Sequence, residues 1–185
     1  MKLLVGLGNQ GPKYEKNRHN VGFLFVHFLF ESLLPSSHLK QEWKYDKYIS
    51  AESSILETKE NTLIFLKPQN YMNNSGISVG SITKKLNISS NNIIVIHDDL
   101  DIPLGKFKLS LGVGPKLHNG ISSIEQHLKT TEFYRLRIGV DNRQETGNIP
   151  GESYVLLNFL EEEFKILNQT FQEISAQQQF GKLIE

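Results

Sequence analysis

The chain has 185 residues, with 20 Lys plus Arg balanced by 20 Asp plus Glu, and no cysteine. That length suits one domain with a real core. The missing thiol excludes disulfides, cysteine–zinc sites and thiol catalysis, and zero net charge gives no global bias toward nucleic acid, leaving only a local basic patch to supply one. Residues 3–7 are apolar and predict a buried strand. Residues 23–34 predict a buried helix ending before Pro35, although 25–30 alone has the composition of a strand. Residues 43–49 and 62–66 have strand character, with a polar turn near Lys59-Glu60-Asn61. A helix is predicted over 75–86, a central β-branched strand over 92–96, and an alternating strand nearer an edge over 106–111. A short helix over 120–128 and strands over 134–140 and 154–158 follow. From Leu160 to about residue 179, Phe164, Leu167, Phe171 and Ile174 recur at helical spacing. Residues 142–152 carry Gly147, Pro150 and Gly151 and read as a loop. Strands alternating with helices predict a single α/β domain, residues 1–185, whose sheet is covered on both faces. No run of about 18 apolar residues occurs, and no basic and then apolar leader precedes the first strand. The expectation is a cytoplasmic protein without a membrane span.

The most informative stretch is Gly6-Leu7-Gly8-Asn9-Gln10-Gly11, directly after the first strand, followed by Arg18-His19-Asn20. It supports two rival readings. As G-x-G-x-x-G it matches a dinucleotide fingerprint, with Glu31 about 20 residues on as the ribose-binding acid. That reading needs a second strand at 25–30 and leaves the later polar clusters unemployed. As a strand-end turn bearing Asn9 and His19, it suggests a hydrolytic site built from an amide and an imidazole.

Three further clusters lie at predicted element ends. Lys67-Pro68-Gln69-Asn70-Tyr71-Met72-Asn73-Asn74-Ser75 gathers amides after a strand. Pro68 is expected to stop the ladder, and Asn73, Asn74 or Ser75 to cap the next helix. An amide can also grip a peptide backbone with both a donor and an acceptor. His97-Asp98-Asp99-Leu100-Asp101 places carboxylates at a strand end, where one can fix an imidazole tautomer and support the imidazolium. A hard-cation or zinc site is the weaker alternative, since it needs more convergent ligands. Lys106, Lys108, Lys116, Arg135 and Arg137 are either a solvated face or phosphate contacts, and Asn119 stands where it would cap a helix or reach a cleft. Gly76-Ile77-Ser78-Val79-Gly80 matches G-x-S-x-G, but no strand immediately precedes Ser78, as a nucleophile elbow requires.

Taken in order, GLGNQG-x-x-Y, RHN-x-G, KP-x-x-YMN-x-SG, HDDLDIPLGK, HNG and FYRLRIGV resemble the bacterial-type peptidyl-tRNA hydrolase family over nearly the whole chain. The resemblance implies a twisted mixed sheet with a mostly parallel core flanked by helices, a monomer, and hydrolysis without metal or other cofactor of the ester joining peptide to tRNA. It implies that His19 is the base, Asp98 its partner, and Asn9 a cleft residue placing catalytic groups. Tyr14, Met72, Asn73, His118 and Asn119 fall on the substrate side. Arg137 matches one half of a clamp on the tRNA 5′-phosphate, and Lys106, Lys108 and Lys116 are the tRNA phosphate contacts expected to compensate for the other half. Such chemistry would be lost as His19 protonates below roughly pH 6.5. The chain departs from the family pattern at Gln10 and Asn17. Pro115, Lys116 and Leu117 also stand before His118, where small residues are usual, and Ser110 stands where a basic residue is common. A non-catalytic RNA-binding relative, like the plant organellar splicing factor of this fold, is the alternative that this altered loop motivates.

Overall fold

A computed structural model describes residues 1–34, 42–143 and 149–185. Its sheet has seven strands: β1 (Lys2–Gly6), β2 (Lys44–Asp46), β3 (Ala51–Glu57), β4 (Thr62–Pro68), β5 (Ile93–Pro103), β6 (Phe107–Leu111) and β7 (Tyr134–Asp141), in the order β2-β3-β4-β1-β5-β7-β6. The inner pairs β4–β1, β1–β5 and β5–β7 are parallel, and the outer pairs are antiparallel. The inner strands are near-continuous apolar runs because both of their faces are covered. Alternation sorts their side chains. Leu4, Phe65, Ile94 and Ile96 meet Phe25, Val26, Leu29 and Phe30 of helix α1 (Val21–Leu33), together with Leu167, Phe171 and Ile174. Leu3, Val5, Leu66, Ile93 and Val95 meet Val79 and Ile82 of α2 (Ser75–Leu86), with Ile121 and Ile124 of α3 (Asn119–Leu128), on the other face. The chain leaves β1 toward β4 on one side and reaches β5 on the other. The carboxyl ends of these three strands therefore open on one crevice, the usual ligand position in such a sheet.

The glycine-rich turn after β1 is a packing device. A Cβ on Gly22 would lie 2.3 Å from the Ile96 carbonyl oxygen and 2.5 Å from the Leu7 nitrogen. Those two atoms are themselves hydrogen-bonded at 2.9 Å. The α1 backbone thus sits directly on the turn. Residues 25–30 lie in α1, so the second strand that a dinucleotide site requires is absent. Ser78 is buried within α2, where it donates to the Ser50 carbonyl and accepts from Asn70, so it is no nucleophile.

Four other expectations are corrected. Strand character at 43–49 shrinks to β2, and the polar segment Ala51–Glu57, read as no element, is a full strand paired along β4. Pro68 does end the ladder as expected, pairing with Ala51 as the last residue of β4. Strand β5 runs on through the acidic cluster, because His97, Asp98 and Asp99 pair with Arg137, Ile138 and Gly139 of β7. The strand expected at 154–158 is instead the short helix α4 (Gly151–Tyr154) and a turn, with an isolated bridge from Asn158 to Asn17. The C-terminal helical stretch divides at Gln177 into α5 (Glu161–Ala176) and α6 (Gln178–Ile184). Of the loop read at 142–152, residues 144–148 lie outside the described residues.

Candidate active site

A cleft of about 780 Å³ opens at the crevice. Asn9, Met72, Asn73, Asp98, His118 and Asn119 line it together with His19, and α4 with Val155 and Leu156 forms the facing wall. The residues expected at the reacting centre are thus brought to one place from the segments after β1 and β4, the Arg18–Asn20 turn before α1, β5 and the start of α3. Tyr14 is not among the lining residues. It ends the turn Pro12–Tyr14 beside the cleft's own His19 segment, half-buried, with its carbonyl accepting from Asn17.

Hydrogen bonds fix the ring states. His19 Nδ1 lies 2.7 Å from Asp98 Oδ1. A carboxylate can only accept, so Nδ1 carries a proton, and in the neutral ring Nε2 keeps its lone pair. The His118 Nδ1 accepts from the Gly120 and Ile121 amides at 3.1 and 3.3 Å, so its Nε2 carries the proton and donates to the same Asp98 oxygen at 3.0 Å. His118, not Asn119, is therefore the N-cap of α3; Asn119 is the first helical residue, exposed toward the cleft. Gly120 completes the arrangement, because a Cβ there would meet the Met72 sulfur at 2.6 Å.

Electrostatics follow from this network. Burial alone would lower the His19 pKa, but the charge and hydrogen bond of Asp98 outweigh it and raise the value above 6.5. Burial would raise Asp98, yet the two imidazoles hold it well below the usual carboxylate range. His97, fully buried behind the pair, is pushed down to about 3 by burial and by His118, and donates from Nδ1 to the Asp98 carbonyl at 2.7 Å.

Asn9 is aimed by its neighbours. Its backbone exchanges two hydrogen bonds of 2.9 Å with the Asn20 side chain, and its Oδ1 accepts from the Met72 amide at 2.9 Å. Its Nδ2 is left to donate into the cleft. Tyr71, on the rim, holds φ 56° and ψ 161°. That conformation costs a non-glycine residue about 1–3 kcal/mol and concentrates at functional sites. His19, Asp98 and His118 have donor atoms within 4.8 Å of one another, the one such group among the described residues. Both ring nitrogens facing Asp98 are already satisfied by it, so a cation there would have to displace two protons.

The basic residues divide. Lys106 and Lys108 are exposed, and Lys108 stands opposite Arg137 in the β6–β7 pair. Lys116 is exposed 3.8 Å from Asp101. The Arg137 Nε donates to Asp99 at 2.7 Å, tying this edge to the cleft wall. Arg135 is buried, stacked on Phe133 and paired with Glu125 at 2.7 Å, so it is a structural cation and not a phosphate contact. Ser110 donates to the Val113 carbonyl at 2.8 Å, bracing the altered loop. Leu117 lines the cleft with 94% of its surface exposed. Sequence reasoning missed three features: the second ring on Asp98, the Asn20 clamp, and a buried Arg18–Glu163 pair behind His19. Only the clamp had a local signal, in the Asn of Arg18-His19-Asn20.

An α/β domain with an imidazole–carboxylate pair and side-chain amides gathered in one cleft holds the groups of an acid–base enzyme. The family profile described as Peptidyl-tRNA hydrolase matches residues 3–181. A peptidyl-tRNA hydrolase of Hydrogenobaculum sp. is 38% identical over 178 residues, covering 95% of this chain and 87% of the relative. One from Bdellovibrio bacteriovorus is 42% identical over 164 residues, covering 89% and 83%. The crystal structure of peptidyl-tRNA hydrolase from Acinetobacter baumannii superposes with a TM-score of 0.84 at 30% identity, covering 100% of this chain and 88% of that one. The chain belongs to the peptidyl-tRNA hydrolase family. No helix among the described residues is long and apolar enough to cross a membrane.

Proposed function

We propose that this chain hydrolyses the ester bond of peptidyl-tRNA with His19 as general base. The observation that carries the reading is the His19–Asp98 hydrogen bond, which holds the proton of the neutral ring on Nδ1 and leaves Nε2 free to take one. Water attacks the ester carbonyl as His19 Nε2 accepts its proton. Asp98 supports the imidazolium, and Asn9 Nδ2 donates to the developing oxyanion. Collapse of the tetrahedral species breaks the bond to the ribose oxygen, which leaves with the proton held on His19. The products are free tRNA and a peptide carboxylate. No protein nucleophile enters the sequence of steps, and the reading calls for no metal or other cofactor.

Asn73 and Asn119 supply exposed amides on the cleft wall for the peptide, and His118 and Met72 shape it. Tyr14 is a contact beside the site. Lys106, Lys108, Lys116 and the Arg137 guanidinium meet tRNA phosphates. The protein acts as a cytoplasmic monomer, residues 1–185 being one domain. The test is turnover of a defined N-acetyl-aminoacyl-tRNA over a range of salt concentrations. His19→Ala abolishes release while the circular dichroism spectrum stays native. Replacing Lys106 and Lys108 by Ala weakens tRNA binding and flattens its salt dependence by about one counterion for each lost contact. Retained turnover in His19→Ala, or RNA binding without cleavage by the wild type, overturns the reading.

A further inference from the structure

His19 is held from two sides, and only one of them is Asp98. Residues 16–19 pair with the segment after α4: the His19 amide donates to the Val155 carbonyl at 2.8 Å, the Arg18 amide to Leu157 at 3.1 Å, and the Phe159 amide to Lys16 at 2.9 Å. The Arg18 side chain turns away from the cleft and is 2% exposed. Its guanidinium stacks on Tyr154 with 4.3 Å to the ring centroid, and donates to the Asn158 carbonyl at 2.6 Å. It also donates to both Glu163 oxygens, at 2.9 and 2.6 Å. Glu163 is 1% exposed and lies 145 residues further along the chain, in the first turn of α5. Its second oxygen accepts from the Leu160 amide at 2.8 Å, fixing the start of the helix.

A buried ion pair is weak as a source of stability, because desolvating both charges offsets their attraction, but it is demanding in geometry. One terminal nitrogen of Arg18 reaches both Glu163 oxygens while the other donates to the Asn158 carbonyl, and such charge-assisted bonds are short and directional. Here that geometry is imposed on the residue next to the proposed base and on the segment carrying the opposite cleft wall. We propose that Glu163 is a positioning residue for His19: acting through Arg18, it sets the imidazole against Asp98 and holds Val155 and Leu156 across the cleft. The inference rests on His19 being the base, and it assigns to α5 a role in the site that none of its residues plays by contact.

The groups facing the His19 ring are Asp98 from β5 and His118 from the start of α3, the two imidazole centroids being 5.1 Å apart. Glu152 of α4 stands on the wall of the same cleft. Loss of alignment with Asp98 therefore reads out as a fall in the His19 pKa, since Asp98 is what raises it against burial. The experiment follows the His19 ring by NMR titration in the full chain, alongside kcat and KM. In Glu163→Leu the titration moves down and the acid limb of kcat follows. The same variant loses about tenfold in kcat with KM within about twofold, as a sub-ångström misplacement would produce. Glu163→Gln, which keeps an oxygen for one Arg18 N–H, lies between wild type and Glu163→Leu. A lower Tm with unchanged ring titration and unchanged kcat per folded molecule overturns the proposal and leaves Glu163 a purely structural residue. Should Glu163→Leu not fold, Glu163→Gln decides: a downward shift of the ring titration supports the proposal, and a wild-type titration overturns it. The ring titration needs no substrate, so absence of turnover in the wild type would count against the hydrolase reading alone.

Discussion

At the scale of single residues, the site turns on one oxygen. Asp98 Oδ1 accepts from both His19 and His118, at 2.7 and 3.0 Å. Because Asp98 stabilises the imidazolium, the folded-state pKa of His19 lies above 6.5. As the proposed base, His19 would be active only when neutral, so the expected acid limb of kcat/KM for the free enzyme falls at a pH above 6.5, higher than an unperturbed histidine gives. In Asp98→Asn the raising charge is gone while burial still acts, so the limb moves to lower pH and kcat drops by at least about 10²-fold. A pH–rate profile of both proteins checks this; an identical limb in the two would show that Asp98 does not govern the base. Much of this was legible in the sequence. Asn9, His19 and Asn119 stand beside element ends and Asp98 inside β5, all in motifs whose order marks the family. The double role of His118 was not, because histidine is not among the usual helix caps. Neither was the Arg18–Glu163 pair, whose partners are 145 residues apart and tied by no local pattern.

At the scale of elements, long apolar segments declared themselves and polar ones did not. Helices α1 and α2 follow from their apolar positions. Strand β3, with Glu52, Ser53, Ser54 and Glu57, has neither β-branched composition nor strict alternation, and exists because β4 offers it a ladder. The 154–158 segment went the other way: its apolar residues satisfy the wall of the cleft and the Arg18 stack, not a sheet. The junction between the first turn and α1 is where element packing is least forgiving. In Gly22→Ala the added methyl falls on the Leu7–Ile96 hydrogen bond, with 2.3 Å to the Ile96 oxygen, and these backbone atoms have no side-chain torsion to yield. A cost of about 1–3 kcal/mol, or a Tm lower by about 3–10 °C, is expected for a chain of this size. Gly181→Ala in α6 is the control, since a Cβ there meets nothing within 4 Å, and it should be neutral or slightly stabilising. Thermal unfolding of the two variants side by side decides; equal Tm values would mean that the turn can relax away from α1.

At the scale of the whole molecule, two covered faces were readable from the apolar runs, but the strand order was not. Nothing local says that β4 and β5 flank β1; that placement comes from packing. It puts β5 inside the sheet, between β1 and β7, and with it His97, which has no exposed surface. Its pKa is about 3 in the folded chain against 6.5 for a free histidine. Between those values the unfolded chain binds a proton that the folded chain refuses. Stability is therefore complete above pH 6.5 and declines as the pH falls toward 3, with a slope on the order of 1.4 kcal/mol per pH unit from this one group. His19 has the opposite sign and acts elsewhere: its contribution is full below 6.5 and fades as the pH rises through its raised value. His97→Gln retains a donor for the Asp98 carbonyl and cannot take up the proton. Urea unfolding of wild type and His97→Gln at pH 7, 6, 5 and 4 isolates the effect, because every other titrating group is common to both. The wild type should lose stability relative to the variant at each step below pH 6, whereas a constant difference across the series would mean that the buried ring is not held neutral by the fold.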